Sequence, residues 1–181
     1  MIFIKYLESE GGSMAKLRPL IIDDANYMVE YINDKEISSN FKFTRYPFSI
    51  DKFRSFIQSS WSDEKNIHFA IEESEYAGTI SLKNINNIDK TGEYAIVTRK
   101  KYWGTGIAKE ATNQILKYGF DTLNLQKIYL NVLSTNIRAN KFYKKIGFQF
   151  EGTFKKHVFI DGAYEDLNWY CIFKGEKGYN R

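Results

Sequence analysis

Residues 99–111, RKKYWGTGIAKEA, hold two glycines one position apart, Gly104 and Gly106. They separate a predicted strand from a predicted helix, so several backbone N–H groups would converge beside the positive end of the helix dipole, where anions bind. A Cβ atom at either glycine would hold a phosphate away from those groups. A turn that only starts a helix is the alternative. The dinucleotide pattern G-x-G-x-x-G is absent because Lys109 stands at its third glycine, and no G-x-x-x-x-G-K-[ST] loop occurs.

A second chemically distinctive segment, NIRANKFYKKIGF at residues 136–148, follows one predicted helix and one predicted strand later. Asn136 can cap a helix that ends at Gly147. Tyr143 lies on that helix, and its phenol, with an ordinary pKa of about 10, can donate a proton. The alternatives are a tyrosine packed with Ala139 and Ile146 on the apolar face, and an asparagine that only caps.

Together the two segments resemble the GNAT superfamily of acyl-CoA-dependent N-acetyltransferases. The turn motif of that family, [QR]-x-x-G-x-[GA], is matched by KYWGTG at residues 101–106, except that Lys101 replaces Gln or Arg and its role stays open. The second motif, N-x-x-A-x-x-x-Y-x-x-x-G-F, is matched at every position by residues 136–148. The YWGTG form and the segment DGAYED are most similar to the branch that includes ribosomal-protein N-terminal, polyamine and nucleotide-amino-sugar acetyltransferases. Coincidence in an unrelated sheet protein is the alternative.

The resemblance implies acetyl-CoA as co-substrate and no metal. Backbone N–H groups of the glycine turn would bind the pyrophosphate, while the preceding strand and a helix cap would bind pantetheine. The implied cofactor-binding residues are Ile96, Thr98, Trp103, Gly104, Gly106, Ile107, Ala108 and Asn136. Four cations are further candidates for phosphate contacts, with solvated surface charge as the alternative: Arg99, Lys100, Arg138 and Lys141.

The resemblance also implies direct attack of an amine on the thioester, with Tyr143 as the acid that protonates the sulfur of coenzyme A. An alkylammonium has a pKa of about 10, so neutralising it near pH 7 costs about 4 kcal/mol and a base is useful. Glu93 is the predicted base, acting through water, and a solvent-facing glutamate is the alternative. Some peptide-acetylating relatives carry Glu on the neighbouring strand, where this chain has Asn131.

The acceptor is a small-molecule amine in this interpretation, either a nucleotide-linked amino sugar or a polyamine. By resemblance, the contacts to it come from an aromatic loop and from the closing hairpin: Phe41, Phe43, Phe48, His157, Tyr164, Glu165 and Asp166. Packing between helices is the alternative for the phenylalanines, and His68 and Cys171 are interpreted as structural. A protein N-terminal acetyltransferase and a non-catalytic acyl-CoA-binding module stay open, and basicity alone suggests an RNA-binding domain.

Hydrophobic periodicity supplies the elements that would position these residues. Strands are predicted at residues 16–22, 67–71, 76–82, 93–97 and 127–133, helices at 23–33, after Ser49, after Gly106 and at 136–146, and a hairpin turn at Asp161-Gly162. The predicted fold is α/β, with a single mixed, mostly antiparallel sheet and helices on both faces. It spans residues 14–176. Residues 177–181 are interpreted as a tail. Residues 1–13, which end in Gly-Gly-Ser, are interpreted as a tail that was added by cloning or encoded upstream, with an extra strand as the alternative.

Composition limits the class of protein. A chain of 181 residues with 43% hydrophobic and 17% aromatic residues favours one packed domain over disorder. A net charge of +4 favours anionic ligands, and the absence of an RNA-module motif argues against nucleic acid. No apolar run approaches the roughly 20 residues that cross a bilayer, and the single cysteine cannot form an internal disulfide. We therefore expect a soluble cytoplasmic protein without membrane partners and, from the resemblance, a homodimer.

Overall fold

The computed structural model describes residues 14–43 and 47–175, so the predictions about both tails lie outside the described residues. The strands are β1 Lys16–Pro19, β2 Ile67–Glu72, β3 Tyr76–Asn86, β4 Thr91–Thr98, β5 Lys127–Leu133, β6 Gln149–Ile160 and β7 Ala163–Phe173. The helices are α1 Asp24–Asn33, α2 Lys35–Ser38, α3 Ile50–Ser60, α4 Ile107–Lys117 and α5 Ile137–Ile146. A 3-10 turn, Lys100–Tyr102, precedes α4, and a π turn, Tyr118–Thr122, follows it. Within the described ranges, each helix is too short or too polar to span a bilayer.

The seven strands form one sheet in the order β1-β2-β3-β4-β5-β7-β6. Neighbouring strands are antiparallel except β4 and β5, which are parallel. The sheet is therefore mixed and mostly antiparallel, as predicted, and β2, β3 and β4 form an antiparallel meander within it.

The alternation of side chains along β2 explains why helices cover both faces of the sheet. Phe69 and Ile71 belong to the core formed with α4 and α5, whereas Ala70 between them packs in a second core with α1 and α3. Successive side chains of a strand point to opposite faces, so one strand feeds both cores. This confirms the predicted two-sided arrangement.

The sheet opens between its two parallel strands. The β4–β5 ladder pairs only Thr91, Gly92 and Glu93 with residues 127–129. Beyond Glu93, β4 continues to Thr98 and β5 to Leu133 without pairing to each other. The main-chain groups of β4 that point away from β3 are consequently left facing a gap, and this gap positions the candidate site.

The first helix begins differently from the prediction. β1 ends at Pro19 rather than at residue 22, and the side chain of Asp23 makes no capping hydrogen bond. The neighbouring Asp24 is the organising residue instead, because its carboxylate accepts two hydrogen bonds of 2.8 Å from Arg18 and one of 3.0 Å from the Ile21 N–H. A buried carboxylate needs such partners, and a guanidinium supplies two at once.

Two further differences follow from tertiary structure. α2 is a four-residue helix, too short to show an apolar period, and is capped by Asp34, whose side chain accepts hydrogen bonds from two backbone N–H groups. β3 extends to Asn86 and not only to the predicted residue 82, which shortens the loop before β4. At the other end of the chain the predicted hairpin turn is confirmed, since Asp161 and Gly162 both have positive φ, 49° and 90°.

Candidate active site

A cavity of about 760 Å³ lies in the gap between β4 and β5. Its walls come from β4, the glycine turn, α3, α5 and the segment that follows α2. The two predicted catalytic residues and the eight implied cofactor-binding residues all line it except Ile107, whose side chain is buried in the core. Segments far apart in the chain are thus brought to one place.

The glycine turn has the geometry of an anion site. Gly104 and Gly106 have φ values of 79° and 96°, which favour glycine, and a Cβ on either would meet no atom within 4 Å. Among the described residues, none accepts a hydrogen bond from the N–H of Gly104, Gly106 or Ala108. Three free donors therefore stand at the N-terminus of the eleven-residue helix α4, beside open space.

Trp103 and Ile107 have their backbone N–H groups engaged within the turn. The N–H of Trp103 donates to the carbonyl of Lys100 at 3.0 Å, and that of Ile107 donates to the Thr105 hydroxyl at 3.4 Å. Trp103 instead presents its ring, with the guanidinium of Arg138 at 3.2 Å from the ring centroid. The contribution of Trp103 to the cavity is consequently an aromatic surface that holds a cation.

The structure separates the four cations that were candidates for phosphate contacts. Arg138 lines the cavity, but Arg99 is buried and pairs with Glu30 at 2.8 Å and Glu75 at 3.2 Å. Lys100 pairs with Glu36, and Lys101 with the same Glu75. Lys141 is exposed outside the cavity lining. Residues 99–101 therefore form ion pairs that attach the end of β4 to α1, to α2 and to the turn between β2 and β3.

Three predicted pantetheine contacts lie where the strands part. Ile96 and Thr98 belong to the stretch of β4 that faces the gap, and both line the cavity. Asn136 caps α5, because its Oδ1 accepts a hydrogen bond of 3.1 Å from the Ala139 N–H, and it lines the cavity as well. Capping and ligand contact are therefore compatible at this position.

Tyr143 is both packed and accessible to the cavity. It is 8% exposed, its ring packs edge-to-face on Tyr94 at 6.0 Å and on Phe148 at 5.9 Å, and no described residue hydrogen-bonds its hydroxyl. Burial raises the pKa of Tyr143 well above its ordinary value, against a smaller opposing effect of Arg138. The phenol thus stays protonated at neutral pH, which is the form that an acid requires.

Asn140 fixes the helix that presents Tyr143. Its amide nitrogen donates to the carbonyls of Leu133 at 3.0 Å and Asn136 at 2.7 Å. Its oxygen accepts hydrogen bonds from Asn168 at 2.9 Å and from the Tyr170 hydroxyl at 2.8 Å. The sequence signal for this role is weak but present, since asparagine is a poor residue inside a helix unless its side chain is used.

Glu93 is a buried carboxylate in the cavity and not a solvent-facing one. Its Oε1 lies 3.2 Å from the ammonium of Lys83 and 3.6 Å from that of Lys42, and its Oε2 accepts a hydrogen bond of 2.8 Å from Asn84. Burial acts to raise the pKa of Glu93, but Lys83, Lys42 and these hydrogen bonds outweigh it and lower the pKa below its ordinary value. The group is therefore ionised at neutral pH and is a weak base.

Lys42 is a cavity residue that the sequence analysis did not predict. Its ammonium donates to Oδ1 of Asn131 on β5 while facing Glu93 on β4, so it bridges the gap between the two strands. Burial lowers the pKa of Lys42, with Glu93 opposing that effect. Its partners are 51 and 89 positions away, and no local pattern points to such a contact.

The aromatic loop lies partly at the cavity. Phe41 and Phe43 line the cavity and stack on each other at 5.2 Å, whereas Phe48 packs against Phe53 at 5.8 Å. Phe41 and Phe43 are therefore placed to contact a ligand, whereas Phe48 packs against a helix.

The closing hairpin lies elsewhere, contrary to the expectation from the resemblance. None of the four hairpin residues proposed for acceptor contacts lines the cavity: His157, Tyr164, Glu165 and Asp166. Asp166 binds Lys155 at 2.8 Å on the exposed hairpin. The β6–β7 ribbon extends as an edge of the sheet beyond β5, which removes its tip from the gap.

The two residues interpreted as structural have different surroundings. Cys171 is buried, as expected. His68 lines the cavity, with Nδ1 at 2.7 Å from the Ser81 hydroxyl. Burial lowers the pKa of His68 to about 4, against the attraction of Asp63, so its ring is neutral at neutral pH.

Comparison with known proteins agrees with this geometry. Residues 15–149 match the family model described as acetyltransferase (GNAT) domain. The chain is 34% identical over 166 residues to spermidine N(1)-acetyltransferase of Escherichia coli strain K12, covering 88% of this chain and 86% of that protein. It is 31% identical over 167 residues to the Vibrio cholerae protein of the same name, covering 91% and 96%. It is 26% identical to the putative ribosomal N-acetyltransferase YdaF of Bacillus subtilis, covering 88% and 91%.

Solved structures give the same result. The chain is similar to spermidine N-acetyltransferase from Vibrio cholerae in complex with CoA and spermine, with a TM-score of 0.82, 30% identity and coverage of 90% of this chain and 97% of that one. A probable acetyltransferase has a TM-score of 0.83 at 24% identity, covering 92% and 96%, and supports the fold alone.

Proposed function

Because the chain belongs to the GNAT family of acetyltransferases and therefore transfers an acetyl group from acetyl-CoA to an amine, we propose that its acceptor is a primary amino group of a polyamine such as spermidine. Two relatives named spermidine N(1)-acetyltransferase, at 34% and 31% identity, support this choice. So does the Vibrio cholerae structure that holds spermine.

The observation that carries the proposal is that the cavity already binds an alkylammonium group, that of Lys42. Glu93 supplies the charge and Asn131 the hydrogen-bond acceptor, one from each diverging strand. A polyamine end has the same chemistry, an ammonium on a methylene chain, and can take the place of the Lys42 ammonium. Phe41 and Phe53 on the cavity wall offer an apolar surface to the methylene groups.

We assign the following roles to the residues of the site. Glu93 and Asn131 hold the acceptor, whose proton passes to solvent through the open cavity. The neutral nitrogen bonds to the acetyl carbon as the carbon–sulfur bond breaks, and Tyr143 gives its phenolic proton to the leaving thiolate. The nitrogen then loses its remaining extra proton to solvent, and solvent restores the proton of Tyr143. The N–H groups of Gly104 and Gly106 fit the pyrophosphate, because no described residue accepts a hydrogen bond from them, they immediately precede the N-terminus of α4, and the space beside both glycines is open.

A panel of amines tests the acceptor. The enzyme is assayed with acetyl-CoA and spermidine, spermine, a nucleotide-linked amino sugar, or a peptide with a ribosomal-protein N-terminus, and products are identified by mass. We expect the highest kcat/KM for the polyamines. A higher value for the amino sugar or the peptide would replace the polyamine as acceptor, and protection from heat by coenzyme A without transfer to any amine would indicate a binding module.

We expect Gly106→Ala to weaken the binding of acetyl-CoA. The new Cβ would project into the open space beside three free N–H donors and displace a phosphate from them. Losing one hydrogen bond to a charged group costs about 1.4 kcal/mol, so KM for acetyl-CoA should rise about tenfold. Steady-state kinetics at saturating spermidine measure this change.

Gly162→Ala is the matched control for that variant. Gly162 also has a positive φ, 90°, and open space around its Cβ position, but it lies in the β6–β7 turn outside the cavity. Both variants should lose about 1 kcal/mol of unfolding free energy to the left-handed backbone. An unchanged KM in Gly106→Ala would remove the turn from the cofactor site.

We expect Glu93→Gln to impair acceptor binding more than chemistry. The substitution keeps the shape but leaves the ammonium groups of Lys42 and Lys83 without their carboxylate, so the pocket repels a cationic amine. The loss of a charge-assisted hydrogen bond should raise KM for spermidine about tenfold. The lowered pKa of Glu93 favours this anchoring role over proton abstraction.

Glu151→Gln controls for loss of a glutamate–lysine pair elsewhere, since Glu151 binds Lys127 at 2.6 Å outside the cavity. Its KM for spermidine should equal that of the wild type. If Glu93→Gln instead lowers kcat about a hundredfold with KM unchanged, Glu93 is the base.

Cytoplasmic localisation, homodimer formation and the absence of membrane and nucleic-acid partners stay predictions.

A further inference from the structure

We propose that Lys42 is itself an acetylation site of this enzyme, modified in its own active-site cavity when no free amine is present. The inference rests on the proposed function, because it uses the same cavity, anchor and acid as the polyamine reaction. It concerns a covalent modification of the chain and can fail or succeed independently of the identity of the free acceptor.

The position of the amine is the first argument. Lys42 belongs to the segment that follows α2, and its side chain crosses the gap to donate to Asn131 on β5. Its Nζ also lies 3.6 Å from Oε1 of Glu93 on β4. The Lys42 nitrogen is therefore held between the two strands whose separation forms the cavity, at the place assigned to the acceptor nitrogen.

The state of the amine is the second argument. Burial lowers the pKa of Lys42, Lys83 adds to this effect, and Glu93 opposes it. A larger share of the amine is consequently neutral, the only form that can attack a carbonyl carbon. Proximity also accelerates the attack, because a nucleophile tethered beside a bound thioester reacts as if it were present at very high concentration.

Lys83 is an internal reference within the same cavity. Its ammonium is closer to Glu93, at 3.2 Å, but it makes no hydrogen bond to Asn131. Both lysines thus share one carboxylate, and only Lys42 reaches across to β5. Acetylation should therefore select Lys42 over Lys83.

The step balances without any further reactant. The Lys42 ammonium loses one proton to solvent, and its nitrogen forms a bond to the acetyl carbon of acetyl-CoA as the carbon–sulfur bond breaks. The nitrogen then loses a second proton to solvent, while the thiolate takes the phenolic proton of Tyr143, which is restored from solvent. One acetyl-CoA and one lysine give one acetyl-lysine, one coenzyme A and one proton.

The test incubates the 181-residue chain with acetyl-CoA and no added amine, and follows it over time by intact mass and peptide mapping. We expect one acetyl group per chain, on Lys42, with a first-order rate constant that does not change with protein concentration. That rate should exceed, at least about tenfold, the rate at Lys83 and at the exposed Lys117. Excess coenzyme A or spermidine should slow the reaction at Lys42 and leave Lys117 unaffected.

Equal rates at Lys42 and Lys117 would overturn the inference, because they indicate chemical acetylation in solution. Acetylation of Lys83 in preference to Lys42 would overturn it as well. Lys42→Arg keeps the charge and should abolish the early acetylation while the slow labelling of Lys117 persists. Spermidine turnover is measured on the same preparation. Turnover without Lys42 acetylation refutes only this inference, and Lys42 acetylation without turnover of any polyamine refutes only the proposed acceptor.

Discussion

Tyr143→Phe is expected to lower kcat about a hundred- to a thousandfold while changing the affinity for coenzyme A less than about twofold. The substitution removes one hydroxyl, and no described residue hydrogen-bonds that hydroxyl, so the packing of the ring on Tyr94 and Phe148 is kept. What is lost is the proton for the leaving thiolate, which a buried site cannot easily replace with water. Turnover of spermidine and calorimetric titration with coenzyme A measure the two quantities.

Tyr118→Phe is the matched control. Tyr118 is 9% exposed against 8% for Tyr143, but it lies on the π turn, outside the cavity. Its kcat should equal that of the wild type. Full turnover in Tyr143→Phe would refute the role of Tyr143 as the acid. A loss of kcat in Tyr118→Phe as large as that in Tyr143→Phe would show that the loss comes from removing a buried tyrosine hydroxyl and not from removing the acid.

The pH dependence gives a second check on the same residue. Burial raises the pKa of Tyr143 well above its ordinary value of about 10, so the phenol keeps its proton throughout the range in which the protein is assayed. We therefore expect no decline of kcat between neutral pH and about pH 10 from ionisation of Tyr143. A decline centred near pH 8 would assign the acid to another group.

The parts of the site that the sequence predicts are those made by local backbone geometry. Gly104 and Gly106 have positive φ, and Asn136 caps the helix that carries Tyr143 seven residues further along the chain. Such features depend on neighbours a few residues away, and they survive in any fold that keeps the strand, turn and helix order. The motif spacing therefore predicts the part of the cavity that we propose for the cofactor.

The part of the cavity that we propose for the acceptor depends on contacts between residues far apart in the chain, which motif spacing does not reveal. Lys42 reaches Asn131 across 89 positions, and Glu93 shares its carboxylate between Lys42 and Lys83. The pKa of Glu93 is lowered by those partners, and its place on β4 alone does not predict that shift. For the same reason the hairpin around Asp166, which looks suited to an amine in sequence, lies away from the cavity.

Asn140→Ala is expected to lower the unfolding free energy by about 3 kcal/mol, because a buried side chain with four hydrogen bonds is removed. The Tyr170 hydroxyl is left buried without its acceptor, and α5 loses its attachment to β5 and β7. For a chain of this size the Tm should fall by roughly 6–12 °C. Thermal and urea unfolding measure the change.

Asn113→Ala supplies the comparison, since it makes the same substitution at an exposed position of α4. Alanine is the better helix former, so this control should be neutral or slightly more stable. If Asn140→Ala unfolds like the wild type, the hydrogen bonds of Asn140 do not fix α5. If it is destabilised and kcat of the folded enzyme also falls at unchanged KM, the position of α5 sets the placement of Tyr143, and the polar contacts behind the helix are part of what makes the phenol an effective acid.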